Sequence, residues 1–393
     1  MPVILDGAAL YTPDAVVDPG TVIVSEEGDI AYAGAARDAP HANGLRLDLR
    51  GRVVAPGFVN VHTHGGNGIN FYADAVERSA IADNLRHYAR WAAGNGVTGF
   101  LCSIAAPSTE ALHELIDAYV AAFESDSEGA EPLGLHLEGP FLSREKKGAF
   151  DPAWLRAAAL EEAQSAIEAG AGWVRQMTLA PELPGAGAVA SYLRGEGVVV
   201  ALGHTNASYE DTRRALRGNF THVTHTFNAQ HGFHHREPGA IGAILTSDHV
   251  TAELIADTVH VHPGAMKLMI RSVGSDRVVL ITDANAAAGL PDGTYQIGGR
   301  TRIVKDGRSV LEDGTIAGST ATMNTCVRNV HHVVGVPLLE AVRMASLNPA
   351  RAMGLAARFG SLEEGKSANL IVTDKDLNIY LTMVGGEIVH GNL

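Results

Sequence analysis

The sequence predicts an α/β chain folded as a (β/α)8, TIM-like barrel, flanked by a small β-sandwich built from both chain ends. Three observations lead there. Between Val53 and Ala284, apolar runs alternate with Ala-rich amphipathic stretches, as successive parallel βα units require. Most of those runs finish in an ionisable or metal-capable residue, and closure into a barrel gathers strand C-termini at one mouth. A doubly wound open sheet, the competing architecture, would spread them along an edge. Both chain ends carry short β-type segments broken by Gly, Pro and Asp, without helical periodicity.

Taken in order, the first fifty residues give VILDGAAL, TVIVSEEGDI, AYAG and LRLDL as strands. The barrel strands that follow are VVAPGFVNVHTH, VTGFLCSIA, LGLHLEG, VRQMTLAPE, VVVALGHT, THVTHTFNA, TAELIADTVH and DRVVLITDA. Helices are expected in ERSAIADNLRHYARWAAGNG, PSTEALHELIDAYVAAF and DPAWLRAAALEEAQSAIEAG. After Asp283 the segment TYQIGGRTRIVKDGRSVL reads as a β-hairpin insertion at about 294–316, ahead of helices near Asn324–Val334 and Leu338–Leu347. The tail returns to short strands. The expected organisation is therefore a sandwich from residues 1–53 and 357–393 beside a barrel over 54–356.

Composition narrows the function. At 393 residues, 46% hydrophobic and 19% charged, the chain can bury a large core and is neither disordered nor fibrous. No run nears the roughly 18–20 apolar residues that cross a bilayer, and the first residues do not read as a secretory signal. A net charge of −14 argues against nucleic acid and anionic membranes as partners. Two cysteines without CxxC spacing, Cys102 and Cys326, indicate a reducing compartment, hence the cytoplasm. The 18 histidines carry the chemical interest.

His62 and His64 form an HxH pair, and side chains two apart on a strand share a face. Taken alone, the pair reads more readily as two hydrogen-bonded loop histidines, since a lone HxH is common by chance. Glu138 ends the third strand, where an ion pair with Arg144, Lys146 or Lys147 is the plain alternative. His204, His225 and Asp283 end strands five, six and eight. Together, four imidazoles and two carboxylates from five strand ends are a ligand set for one or two divalent ions of the Zn or Fe class. Such an ion acidifies bound water toward neutral pH and polarises a carbonyl, which makes metal-assisted hydrolysis the expected reaction class. Asp283 is the expected general base and then general acid. Arg236, Asn228 and His260 suggest an anionic ligand, because the guanidinium fork suits phosphate. For Arg236 the plain alternative is an ion pair with Glu237; His231, His234 and His235 read as a solvated loop, and His331 and His332 as structural residues on a helix.

These residues resemble the amidohydrolase superfamily, and specifically its N-acetylglucosamine-6-phosphate deacetylases. The resemblance runs along nearly the whole chain through PGFVNVHTHGG, HLEGPFL with KKGAF, APE, GHTNA, THTFNA, REPG, IADTVH, TDA, and NPARAMGL with GSLEEGKSANL. It implies a barrel with a β-sandwich, a homodimer, and hydrolysis of the acetamide to glucosamine 6-phosphate and acetate. It further implies that Glu138, His204 and His225 bind metal with the His62–His64 pair of binuclear members. By the same resemblance Asp283 is the acid/base, and Asn228, Ala229, His260 and Arg236 contact the substrate, the arginine from a neighbouring subunit. VRQMTLAPE offers no lysine to be carbamylated, so Glu138 takes the bridging role. Phe150 stands where many relatives have histidine and Thr258 where they have glycine, which makes the galactosamine isomer, or another N-acylated amine on the same fold, the alternative substrate.

Overall fold

The computed structural model describes residues 1–72, 78–125, 128–297 and 299–391. Eight parallel strands, Phe58–Asn60, Val97–Ile104, Glu131–Glu138, Val174–Leu179, Val199–Leu202, His222–Val223, Thr251–Ile255 and Val278–Ile281, pair neighbour to neighbour in chain order. The last meets the first through Asp283, whose N–H donates to the His62 carbonyl at 3.0 Å, and through the Asn60 amide, which donates to Thr282 Oγ1 at 2.8 Å. Val97–Ile104 is buried at every position, as expected of a strand covered on both faces. Outside, Ser108 caps helix Thr109–Phe123 by accepting from the Ala111 N–H at 3.2 Å, and Ser208 caps Tyr209–Arg217 in the same way. The first barrel helix covers Ile81–Ala93; Glu77, where the expected helical stretch began, lies outside the described residues. The third stretch forms a 3-10 turn at Pro152–Trp154 before its helix at Leu160–Ala169.

Several strands stop short of their apolar runs. The first ends at Asn60, before the HxH pair, and the sixth is only His222–Val223. The chain leaves the sheet so that the ligand-type residues can turn inward: His204, His225 and Asp283 hold φ values of 46°, 27° and 47°, left-handed conformations that cost energy for non-glycine residues. The seventh strand likewise ends at Ile255, so His260 sits on the loop beyond it.

Both chain ends share one sheet. Val3–Tyr11 pairs with Val16–Val24, Leu45–Asp48 and Val53–Pro56, and Leu370–Thr373, Ile379–Val384 and Glu387–His390 extend the far side. The sheet curls round its own core of Leu5, Leu10, Val22, Val54, Leu370 and Met383, while Val53, Ala55 and Ile371 pack on the barrel. Only Gly57 separates this sheet from the first barrel strand, and a Cβ there would lie 2.0 Å from the Thr98 methyl. Asn392 and Leu393, the end of the expected sandwich segment, lie outside the described residues.

The insertion is a three-stranded antiparallel meander, Gly293–Ile297, Arg300–Lys305 and Arg308–Leu311. Its second turn places Asp306 and Gly307 at φ 50° and 74°, as a two-residue type I′ hairpin loop requires. The helices beyond it are Met323–Asn329, Leu338–Ala345 and Leu347–Ala352, with a π-turn at Val330–Val334 in place of a longer first helix. Among the described residues no helix is long and apolar enough to cross a membrane.

Candidate active site

Five side chains meet at the barrel mouth in two triads that share Glu138: His62, His64 and Glu138 on one side, Glu138, His204 and His225 on the other. All five are buried. Glu138 Oε1 lies 3.2 Å from His204 Nε2 and 3.1 Å from His225 Nε2, and Oε2 lies 3.1 Å from His64 Nε2. His62 and His64 bring their Nε2 atoms to 3.3 Å, and His204 and His225 bring theirs to 3.0 Å. Asp283 Oδ1 stands 3.2 Å from His64 and 3.5 Å from His62. Glu138 makes no ion pair with Arg144, Lys146 or Lys147 among the described contacts; its charged neighbours are the histidines.

The surroundings settle which nitrogen faces inward. His64 Nδ1 lies 3.0 Å from the Ser103 carbonyl and His204 Nδ1 2.8 Å from the Lys146 carbonyl. A carbonyl only accepts, so each Nδ1 carries the proton, and a neutral ring aims its Nε2 lone pair into the site. Lone pairs facing one another at 3.0 Å and 3.3 Å repel unless protons or a cation lie among them, and outer partners of this kind are what orient metal-binding histidines. Between His62 and His64, within the protein alone, a proton takes that place. Burial alone would depress His62 and His64, but the carboxylates of Glu253, Glu138 and Asp283 hold His62 well above the usual range, and those of Glu138 and Asp283 lift His64 to about 9. Conversely burial would raise the two acids, yet the facing histidines hold Glu138 well below its usual range and Asp283 near about 2. A divalent cation replaces those protons without leaving a charge unpaired. The donor set therefore fits one or two such ions.

Motif reading missed the layer beneath. Glu253, fully buried in the seventh strand, contacts His62 Nδ1 at 2.9 Å, His222 Nε2 at 3.0 Å and Gln176 Nε2 at 3.1 Å. His136, two residues before Glu138, points instead to Ser103 Oγ at 2.9 Å and Thr178 Oγ1 at 2.8 Å. Burial and the nearby His62 charge hold it well below its usual range, so it stays neutral. The signal for Glu253 was a lone carboxylate inside the apolar run TAELIA, which a polar barrel interior explains after the fact.

Residues 53–389 match the profile described as Amidohydrolase family. The chain belongs to the amidohydrolase family. This amidohydrolase is 38% identical over 371 residues to the N-acetylglucosamine-6-phosphate deacetylase of Vibrio furnissii, covering 94% of this chain and 90% of that one. It is 35% identical over 337 residues to the N-acetylgalactosamine-6-phosphate deacetylase of Escherichia coli O157:H7, covering 86% and 87%. A solved structure of a mutant N-acetyl-D-glucosamine-6-phosphate deacetylase from Mycobacterium smegmatis, in complex with N-acetyl-D-glucosamine 6-phosphate, matches with TM-score 0.90, 36% identity and 99% of each chain.

The amidohydrolase opens above the triads into a cavity of about 530 Å³ lined by His64, Glu138, His204, His225 and Asp283 at its floor. Asn228, Ala229 and His260 line its wall. His260 is held by Asp257, whose carboxylate takes its Nδ1–H at 2.6 Å and the backbone N–H of Val259 and His260 at 2.9 Å and 2.8 Å. That clamp keeps Thr258 at φ 67°, where glycine would sit without strain. Phe150 meets the His204 ring edge-on with centroids 5.2 Å apart, and Tyr72 lies 6.4 Å beyond it, so one wall is aromatic. Arg236 does not line the cavity within one chain. It is exposed, and its Nη1 contacts His235 Nε2 at 2.7 Å rather than Glu237. Arg300 and Arg302 of the inserted meander do line it, and Arg300 donates to the Ala149 carbonyl at 2.7 Å, tying the insertion to the loop that carries Phe150. His331 bonds the Val336 carbonyl and His332 faces Asp376 at the surface, both away from the cavity.

Proposed function

We propose that this chain hydrolyses the acetamide of N-acetyl-D-glucosamine 6-phosphate to D-glucosamine 6-phosphate and acetate. The observation that carries the reading is the pair of triads sharing Glu138 with the Asp283 carboxylate 3.2 Å from His64, at the floor of a cavity large enough for a sugar phosphate. The names of its relatives support the substrate class. His62, His64, Glu138, His204 and His225 would hold one or two ions of the Zn or Fe class, with Asp283 at their edge. Such an ion supplies Lewis-acid polarisation of the amide carbonyl and water acidified toward neutral pH. Asp283, ionised at neutral pH, accepts the proton of the attacking water and returns it to the leaving nitrogen. Asn228, Ala229 and His260 position the sugar phosphate and the carbonyl, and the wall of Phe150 and Tyr72 limits water near the acetyl group.

Arg236 enters this reading from a second copy of the chain, with the phosphate as its target. Phe233, 62% exposed, lies on the same loop, and a homodimer formed over this loop is the assembly the reading requires. Arg236→Ala should raise KM for the phosphorylated substrate tenfold or more and leave the unphosphorylated sugar little changed. Mixing it with inactive Asp283→Asn chains should restore activity through hybrid dimers. Equal losses on both substrates would sink the phosphate role, and failure of the mixture to recover would sink the contribution across subunits. A phosphorylated substrate does not cross membranes unaided, which agrees with a cytoplasmic location.

Acetate release from N-acetylglucosamine 6-phosphate, N-acetylgalactosamine 6-phosphate and unphosphorylated N-acetylglucosamine, with Zn²⁺- or Fe²⁺-loaded protein, tests the whole reading. A large preference for the first is expected. Preference for the isomer is the second reading, favoured by the aromatic Phe150 wall and by the E. coli relative. Inactivity on all three would overturn both.

A further inference from the structure

We propose that Glu253 is a positioning residue that aims both halves of the metal centre through a single carboxylate oxygen. It takes no part in substrate contact, for it is fully buried and absent from the cavity wall. Its Oε2 accepts from His62 Nδ1 at 2.9 Å and from the backbone N–H of His225 at 2.9 Å. Those two residues belong to different triads. Its Oε1 is held by His222 Nε2 at 3.0 Å and Gln176 Nε2 at 3.1 Å, so the carboxylate is clamped by strands four and six and cannot swing.

The two contacts on Oε2 do different things. Accepting the proton of His62 Nδ1 leaves the Nε2 lone pair of the neutral ring aimed at Glu138 and Asp283. For His225 the backbone contact matters more, because its Nδ1 is buried with no hydrogen-bond partner among the described residues, whereas His62, His64 and His204 each have theirs held. The direction of the His225 ring therefore rests on its backbone, strained at φ 27°; Glu253 holds the N–H of that residue, while Asn228 donates to its carbonyl from the side-chain amide at 3.3 Å.

Geometry, not charge, is then the duty of Glu253, and two substitutions separate them. In Glu253→Gln the amide oxygen can stay at the Oε2 position while the NH2 group faces the other side. There Gln176 can turn its unpartnered Oε1 toward it, and His222 can shift its proton to Nδ1, which already faces Thr251 Oγ1 at 2.6 Å. Charge is lost and aim is kept. Glu253→Asp keeps the charge but withdraws the oxygens by one methylene from His62 and His225.

The inference rests on the reading that the cluster binds a divalent cation, and Zn²⁺ affinity by chelator competition tests it without reference to turnover. Glu253→Gln should bind Zn²⁺ within about tenfold of the unmodified protein, while Glu253→Asp should lose about 10- to 100-fold, the usual cost of an outer-shell change. Melting of the metal-free proteins checks that each variant folds. Both variants at unmodified affinity, equal losses in both, or the reverse order would overturn the inference. If Glu253→Asp fails to fold, loss of affinity in Glu253→Gln overturns it by itself, and retained affinity supports it. No Zn²⁺ uptake by the unmodified protein would instead overturn the metal reading.

Discussion

Replacing Glu138 with Gln is expected to remove the bound ion and the turnover together. This side chain belongs to both triads, with Oε1 within 3.2 Å of His204 and His225 and Oε2 3.1 Å from His64. Glutamine has the same size, yet it replaces one oxygen by a donor aimed at imidazole nitrogens and deletes the negative charge that offsets the cation. Because no lysine on the fourth strand can serve as a bridge, nothing takes its place. Metal analysis after dialysis should find affinity lowered by more than the roughly 100-fold that an outer-shell change costs. Acetate release should fall in proportion. A variant that retained its ion at unmodified affinity would show that Glu138 is not a ligand.

Asp283→Asn should give the opposite dissociation, with metal content nearly unchanged and turnover lost. Asp283 stands at the edge of the cluster, with one oxygen 3.2 Å from His64 and 3.5 Å from His62, and asparagine keeps a carbonyl oxygen there. What it cannot do is carry a proton from water to the leaving nitrogen. The facing histidines keep the acid ionised, near about 2, so at neutral pH it is ready to accept. Losing positioned proton transfer costs about 10²- to 10⁴-fold in rate, or about 3–5 kcal/mol of barrier. The loss should appear in kcat, while KM changes little. Activity within about tenfold of the unmodified protein would remove Asp283 from the proton-transfer role. The two variants together assign ion and proton to different carboxylates 145 positions apart in the chain, Glu138 and Asp283.

Much of this was legible before any coordinates. The alternation of apolar runs with amphipathic stretches set out the barrel, because parallel strands buried on both faces and helices covering them leave different periods in the sequence. His62, His64, Glu138, His204, His225 and Asp283 could be chosen because residues ending successive parallel strands must share one rim. That inference needed no knowledge of side-chain direction, and the cluster of five with Asp283 beside it agrees with it.

Other features depended on contacts between distant segments, to which local patterns are blind. Strand ends were placed too late, since the left-handed turns at His204, His225 and Asp283 are imposed by convergence on the site against the preference of those residues. Glu253 looked like an isolated acid in an apolar run; only the closed ring brings His62, Gln176, His222 and the His225 backbone to it. Arg300 and Arg302 reach the cavity because the meander folds back over the mouth, a path no spacing encodes. The sequence by itself determined the class of chemistry, through which side chains end the strands. The tertiary structure decided which nitrogen of His64 and of His204 faces inward, because proton position there is set by the carbonyls of Ser103 and Lys146, far away along the chain and adjacent only in the fold.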